Sequence, residues 1–284
     1  MARYSRYVAI GDSQTEGLWD VDETGALVGF ADRLAAMLES LCPGLRYANL
    51  AVRGRRVRHV LDEQLPVALA MQPDLVTVCV GMNDVTRPGR HFDRALADLD
   101  DLYAKLAASG ATVVTTTFPD ITRILPVGRL LAGRVRKIND AIRSATDRHG
   151  FRLVDLYIAP SMSEPDTWSA DRVHGSTNGH ILFAAAAAEA LALPGSSHDW
   201  AHATAGVDPS SPRSRAYSQL LWTRNMLMPW LWRHIRGRSS SEGRQPRRPQ
   251  LALLRNPELT GESVTPPTRS TTPLPGRTWR SPGR

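Results

Sequence analysis

The sequence predicts an α/β fold, a parallel sheet with helices on both faces, and three observations carry that prediction. Strand-like and helix-like segments alternate up to residue 194. One of them, "DLVTVCVG" (residues 74–81), is a continuous apolar run of the kind a central parallel strand needs when both its faces are covered. The segments also group into five successive strand–helix units, which short connections fold into a single parallel sheet.

Taken in order, "RYVAIGD" (6–12) reads as a strand, and "GFADRLAAMLESL" (29–41) has helical spacing up to the breaker "CPG". "RYANLAV" (46–52) is a short strand, followed by "RRVRHVLDEQLPVALAM" (55–71) as a helix bent at its proline. After the apolar third strand, residues 92–108 are helical and "ATVVTTTFP" (111–119) is a strand. "GRLLAGRVRKINDAIRSATDRHG" (128–150) is a helix closed by Gly150. "FRLVDL" (151–156) is the fifth strand, and "NGHILFAAAAAEALAL" (178–193) is a last helix ended by Pro194 and Gly195.

Composition separates this domain from the C-terminal part of the chain. The protein has 284 residues and a formal net charge of +7. Residues 195–284 hold 14 arginines and no lysine against five acidic residues, whereas residues 1–194 carry 21 basic and 23 acidic ones. The positive excess therefore lies in the C-terminal part, and the basic balance says nothing about what the first domain binds; no specific nucleic acid is expected. Residues 195–213 read as a Pro/Ser/Gly linker. Residues 214–238 read as a basic, Trp-rich helical segment. It places Tyr217, Leu221, Met228, Leu231 and Ile235 near one face, which either docks back on the domain or rests on an anionic membrane surface. Residues 239–284 are rich in Arg, Pro, Ser and Thr and are expected to be disordered. No apolar run reaches the ~18 residues of a spanning helix. The apolar run after "MARYSRY" is too short for a secretion signal, and Cys42 and Cys79 read as reduced core residues. Together these predict a cytoplasmic protein; they leave its oligomeric state open.

The chemistry is concentrated at the predicted strand ends, where ligands of open parallel sheets sit. The first strand runs out in "GDSQTEG", delivering Ser13; the second in "NLAVRG", delivering Gly54; the third in "GMND", delivering Asn83. "SADRVHGSTNGH", after the fifth strand, supplies Asp171 and His174. Acyl transfer through a serine needs this set. The hydroxyl requires a base within hydrogen-bond reach, for which His174 is the candidate. The imidazole requires an acceptor for its other N–H, which Asp171 provides from three residues earlier. The tetrahedral intermediate requires donors for its oxyanion, and the Ser13 N–H, the Gly54 N–H and the Asn83 amide can converge there.

These four blocks, in this order, resemble the signature blocks of the SGNH hydrolases, also called GDSL esterases and lipases, over about residues 5–193. The resemblance implies a flavodoxin-like three-layer αβα sandwich with a five-stranded parallel sheet. It also implies Ser13 as nucleophile, Asp171 and His174 as the rest of a triad, and Gly54 and Asn83 beside Ser13 as oxyanion donors. Two positions depart from the pattern: Gln14 stands where the name-motif has leucine, and Gly175 follows His174 where many members carry proline.

The implied reaction is cleavage of a small carboxylic ester through an acyl-Ser13 intermediate, with no cofactor and no metal. An acyltransferase would use the same first half-reaction, and a non-catalytic binding module acting through the basic tail is the rival of another class. Asp12 and His180 read as structural, Asp84 as a loop anchor, and Glu16 as a solvated carboxylate or part of the entrance. His59, His91 and His149 have no ligand-like spacing. Trp19 and Trp168 either line an acyl or alcohol pocket or simply pack their loops.

Overall fold

β1 (Arg6–Gly11) is the strand around which the sheet is assembled, buried from Tyr7 to Gly11. In the computed structural model, which describes residues 4–87, 89–125, 128–203 and 243–254, it pairs in parallel with β2 (Arg46–Asn49) on one side. On the other side it pairs with β3 (Leu75–Cys79), whose five residues are all buried. β4 (Thr112–Thr116) and β5 (Arg152–Val154) extend the parallel ladder beyond β3. The polar atoms that this burial encloses are matched internally: the Tyr7 and Thr77 hydroxyls bond at 2.8 Å, and Tyr7 stacks on Tyr47 at 4.9 Å between ring centroids.

The helices follow the predicted order. α1 (Ser13–Glu16) is a single turn, followed by α2 (Gly29–Leu41). α3 (Val57–His59) and α4 (Leu65–Ala70) are joined by a π-helical turn at Val60–Gln64. Here the expected bend takes the form of a widened turn directly before Pro66, whose missing N–H cannot close the regular ladder. α5 (Met82–Val85), α6 (Arg90–Ala108), α7 (Gly128–His149) and α8 (Thr177–Ala190) complete the set. α2 packs on α8, while α3 and α7 pack on α6, so two helical layers enclose the sheet. On α6 the inward stripe is Phe92, Ala95, Leu99, Leu102 and Leu106, the spacing of an amphipathic helix.

Three expectations are corrected. The sheet has six strands rather than five, because β6 (Arg248–Leu253) pairs antiparallel with β2, giving the order β5-β4-β3-β1-β2-β6. That strand comes from residues 239–284, which composition alone marked as disordered. Backbone pairing holds it, together with Leu251 and Leu254 packed against the core, and Pro249 is tolerable at an open edge. The Arg247 guanidinium anchors it by donating to the carbonyls of Glu16 and Val28, each at 2.8 Å, and to the Asp32 carboxylate. Second, the boundary at residue 194 moves: a 3₁₀ turn at His198–Ala201 buries Trp200 and Ala201 in the core, with the Trp200 indole N–H on Glu189. One tryptophan anchors what otherwise has linker composition. Third, Cys42 is half-buried and only Cys79 is a core residue; both are free thiols. The Trp-rich segment 214–238 lies outside the described residues. Among the described residues no helix is long and apolar enough to cross a membrane.

Candidate active site

The parallel strands run in the order 2-1-3-4-5, read from β2 to β5, so connections leave β1 and β3 in opposite directions and open a crevice at their carboxyl ends. Ser13 follows β1 and Asn83 follows β3, one on each side of that crevice. Gly11, the last residue of β1, has φ 151°, and a Cβ there would lie 2.3 Å from the Cys79 carbonyl oxygen. Only glycine lets the chain turn so tightly against β3. Where the ladder ends, the Gln64 side chain takes over: its Oε1 accepts Gly11 N–H at 2.8 Å and its Nε2 donates to Gly11 O at 2.9 Å. The π-helical turn thus places a buried amide where it completes the hydrogen bonding of the residue two before Ser13.

Ser13 opens α1, with Asp12 as N-cap accepting Gln14 N–H at 3.3 Å. Its Oγ lies 2.7 Å from His174 Nε2, and His174 Nδ1 lies 2.7 Å from Asp171 Oδ2. Burial alone would raise the Asp171 carboxyl, but hydrogen bonds from His174 and the His174 charge hold it well below the usual carboxylate range. An ionised Asp171 accepts, so Nδ1 carries the proton and Nε2 is left to accept from the Ser13 hydroxyl. Asp171 is in turn oriented by its own loop: Oδ1 accepts from Ser169 Oγ (2.8 Å), Val173 N (2.9 Å) and His174 N (3.0 Å). The loop is closed by the Trp168–Gly175 bridge.

Of the other predicted residues, Asn83 is tied to Asp12, the neighbour of Ser13. Asn83 Nδ2 donates to Arg55 O at 2.9 Å and to Asp12 Oδ2 at 3.2 Å. Gly54, at φ 77°, lies in the loop after β2, between Arg53 and Arg55. Asp84 is a loop anchor as expected, accepting Val57 N–H at 3.0 Å, and burial pushes its carboxyl up to about 6. His180 is structural: fully buried, it accepts Phe30 N–H on Nδ1 (3.2 Å) and donates from Nε2 to Leu18 O (3.1 Å). Its burial lowers its pKa to about 4, so it stays neutral. Asp12 is also buried, and desolvation pushes its carboxyl up to about 7 despite the Gln14 N–H. Among the described residues no group of three or more His, Cys, Asp or Glu could hold a metal ion.

Four contacts were not foreseen from sequence. Besides Gln64, the two departures from the family pattern are partners: Gly175 N–H, which a proline would lack, donates to Gln14 Oε1 at 3.1 Å. Glu16 is buried rather than solvated, and binds both the Arg53 N–H (2.6 Å) and the Arg53 guanidinium, pinning the residue before Gly54. Trp19 is half-exposed and donates its indole N–H to Asp171 Oδ2 at 2.9 Å. Trp168, by contrast, packs inside its loop with its N–H on Met162 O. For Gln14 and Gly175 a signal existed, since they broke the pattern in the first and the last of the four blocks; for Gln64, Glu16 and Trp19 the sequence carries none.

A model of the GDSL-like Lipase/Acylhydrolase family matches residues 9–182, spanning every residue of this crevice. No curated protein matches the chain. Among solved structures it is similar to an α/β hydrolase enzyme from the metagenome of Lake Arreo, Spain, at 24% identity and a TM-score of 0.55, over 68% of this chain and 97% of the other. It is also similar to an acetylxylan esterase from Geobacillus stearothermophilus, at 22% identity and a TM-score of 0.56, over 72% of this chain and all of the other. These likenesses establish a shared fold, and the family match over more than half of the chain establishes kinship: the protein belongs to the GDSL-like lipase/acylhydrolase family and is a carboxylic ester hydrolase.

Proposed function

We infer that the protein cleaves small carboxylic esters through a covalent acyl-Ser13 intermediate. The single observation that supports this most is the unbroken chain Ser13 Oγ–His174 Nε2 (2.7 Å) and His174 Nδ1–Asp171 Oδ2 (2.7 Å) at the carboxyl end of the sheet. His174 Nε2 takes the hydroxyl proton as Ser13 Oγ attacks the ester carbonyl, and Asp171 stabilises the imidazolium that forms. The carbonyl oxygen becomes an oxyanion facing the Ser13 N–H, the Gly54 N–H and the Asn83 amide. Of the two Asn83 hydrogens, the one on Asp12 has the longer contact, 3.2 Å against 2.9 Å, and is the one that turns to the oxyanion. His174 then protonates the leaving alkoxide, and a water activated by the same imidazole releases the acid.

Asp12 fits this scheme as an electrostatic neighbour. An ionised carboxylate beside Asn83 would oppose a developing oxyanion. With its carboxyl raised to about 7, much of that charge is absent near neutrality.

The test is turnover on p-nitrophenyl esters graded from acetate upward, with and without a competing alcohol. Release of free acid by the native protein and its absence in Ser13→Ala support the reading. An alcohol that diverts most of the acyl group marks an acyltransferase; full turnover by Ser13→Ala overturns the nucleophile assignment.

A further inference from the structure

Trp19 combines three properties that packing does not explain. Its indole N–H donates to Asp171 Oδ2 at 2.9 Å, the same oxygen that receives His174 Nδ1 at 2.7 Å. Trp19 is 48% exposed, so burial rewards only about half of its large ring. Its backbone sits at φ 72°, a left-handed conformation that bulky residues avoid and that glycine would adopt freely. A strained, exposed aromatic is therefore kept where its indole N–H bonds the carboxylate of the proton relay.

The geometry gives that bond a task. Ser13 and His174 are 161 positions apart and must meet within hydrogen-bond reach. Two side chains of the Ser13 block reach across to the loop that carries His174: Gln14 accepts Gly175 N–H, and Trp19 holds Asp171. Asp171 Oδ1 is occupied by donors of its own loop, which fixes the carboxylate relative to that loop. Trp19 ties the other oxygen to the segment bearing the nucleophile. Rotation of the carboxylate away from Nδ1 would break both bonds at Oδ2 together.

We propose that Trp19 is a positioning residue of the hydrolytic relay, holding Asp171 Oδ2 toward His174 Nδ1 through its indole N–H. This rests on the reading of Ser13, His174 and Asp171 as that relay. It assigns no contact with substrate to Trp19.

The test compares Trp19→Phe, Trp19→Gln and Trp19→Gly with the native chain and with Ser13→Ala on one short-chain ester. Phenylalanine keeps an aromatic ring without a donor; glutamine places an N–H the same number of bonds from Cα without the ring. Trp19→Phe is expected to lose about tenfold in kcat with KM little changed, and Trp19→Gln to recover most of it. Trp19→Gly should match Trp19→Phe in rate while melting no lower than the native chain, because glycine relaxes the φ. The reverse ranking, with Phe active and Gln impaired mainly in KM, would make Trp19 a substrate-contacting ring and overturn the proposal. Native kcat in Trp19→Phe, with Ser13→Ala inactive, would overturn it while leaving the relay intact. An active Ser13→Ala would remove both.

Discussion

The carboxyl ends of β1 and β3 and the outer edge of β2 both join parts of the chain that are far apart in sequence, but they are held by opposite means. At the strand ends the contacts run between side chains of particular types: a hydroxyl, an imidazole, two carboxylates and an amide. At the edge, Arg46–Asn49 and Arg248–Leu253 meet through a backbone ladder, with side chains of β6 mostly turned outward. Interactions of the first kind fail when one atom is changed. Those of the second, apart from the Arg247 anchor, the Arg248 contacts and the inward Leu251, tolerate most side chains and fail chiefly when the segment is removed. The difference predicts where substitutions act on rate and where they act on stability.

The largest effect is expected at the nucleophile. Ser13→Ala and His174→Ala should each lower kcat on the best ester by several orders of magnitude, with an unchanged circular dichroism spectrum and melting temperature. A rate loss that came with a lower melting temperature would blur the division between the two regions. Next comes Asn83→Ala, where the lost oxyanion donor should lower kcat by roughly 100- to 1,000-fold with little change in KM. A loss confined to KM would move Asn83 from the oxyanion to the bound substrate.

The edge should behave the other way. A chain ending at Leu254 keeps β6 and should match the full chain in melting temperature and rate. One ending at residue 242 loses the ladder to β2, the Leu254 N–H to Leu45 O bond and the Arg247 anchor. At about 0.5 kcal/mol per lost hydrogen bond, the low end for an exposed edge, this costs on the order of 4 kcal/mol, or roughly 10 °C in melting temperature. Single changes there, such as Gln250→Ala on the exposed side, should stay within about 0.5 kcal/mol. If Gln250→Ala destabilised as much as deletion, β6 would be held by its side chains after all.

His180 gives a smaller, pH-dependent effect that separates the two histidines of the last loop and helix. Its pKa of about 4 in the folded chain is below the ordinary value of 6.5, so the unfolded chain binds the extra proton first. Stability contributed by His180 is therefore present above about pH 6.5 and is lost as the pH falls toward 4, by about 3 kcal/mol in all. Thermal melts of the native chain should show a steeper fall over that window than those of His180→Gln. Equal slopes would mean that His180 is not held neutral.

The same contrast explains what the sequence made legible. Ser13, Gly54, Asn83, Asp171 and His174 could be proposed because acyl transfer admits few residue types, and the structure brings three of them, Ser13, His174 and Asp171, within hydrogen-bond reach. Five strands were readable because each has an apolar run such as "LVTVC" to bury. Gln64, Glu16 and Trp19 stayed hidden because their work is a hydrogen bond that many residues could make, to partners 37 to 152 positions away. β6 stayed hidden because "RPQLAL" sits among Arg, Pro and Ser, and an edge ladder leaves no apolar signature. Trp200 likewise anchors a stretch whose remaining residues read as linker.

Ser13 should behave as an activated nucleophile, and reaction with a fluorophosphonate tests this without any choice of ester. Intact-mass analysis should show one adduct per chain on the native protein, mapped to Ser13 by peptide sequencing. His174→Ala should remain essentially unlabelled over the same time, since its serine has no base. An adduct on another residue would remove Ser13 as the nucleophile, and labelling of His174→Ala at the native rate would remove His174 as its base.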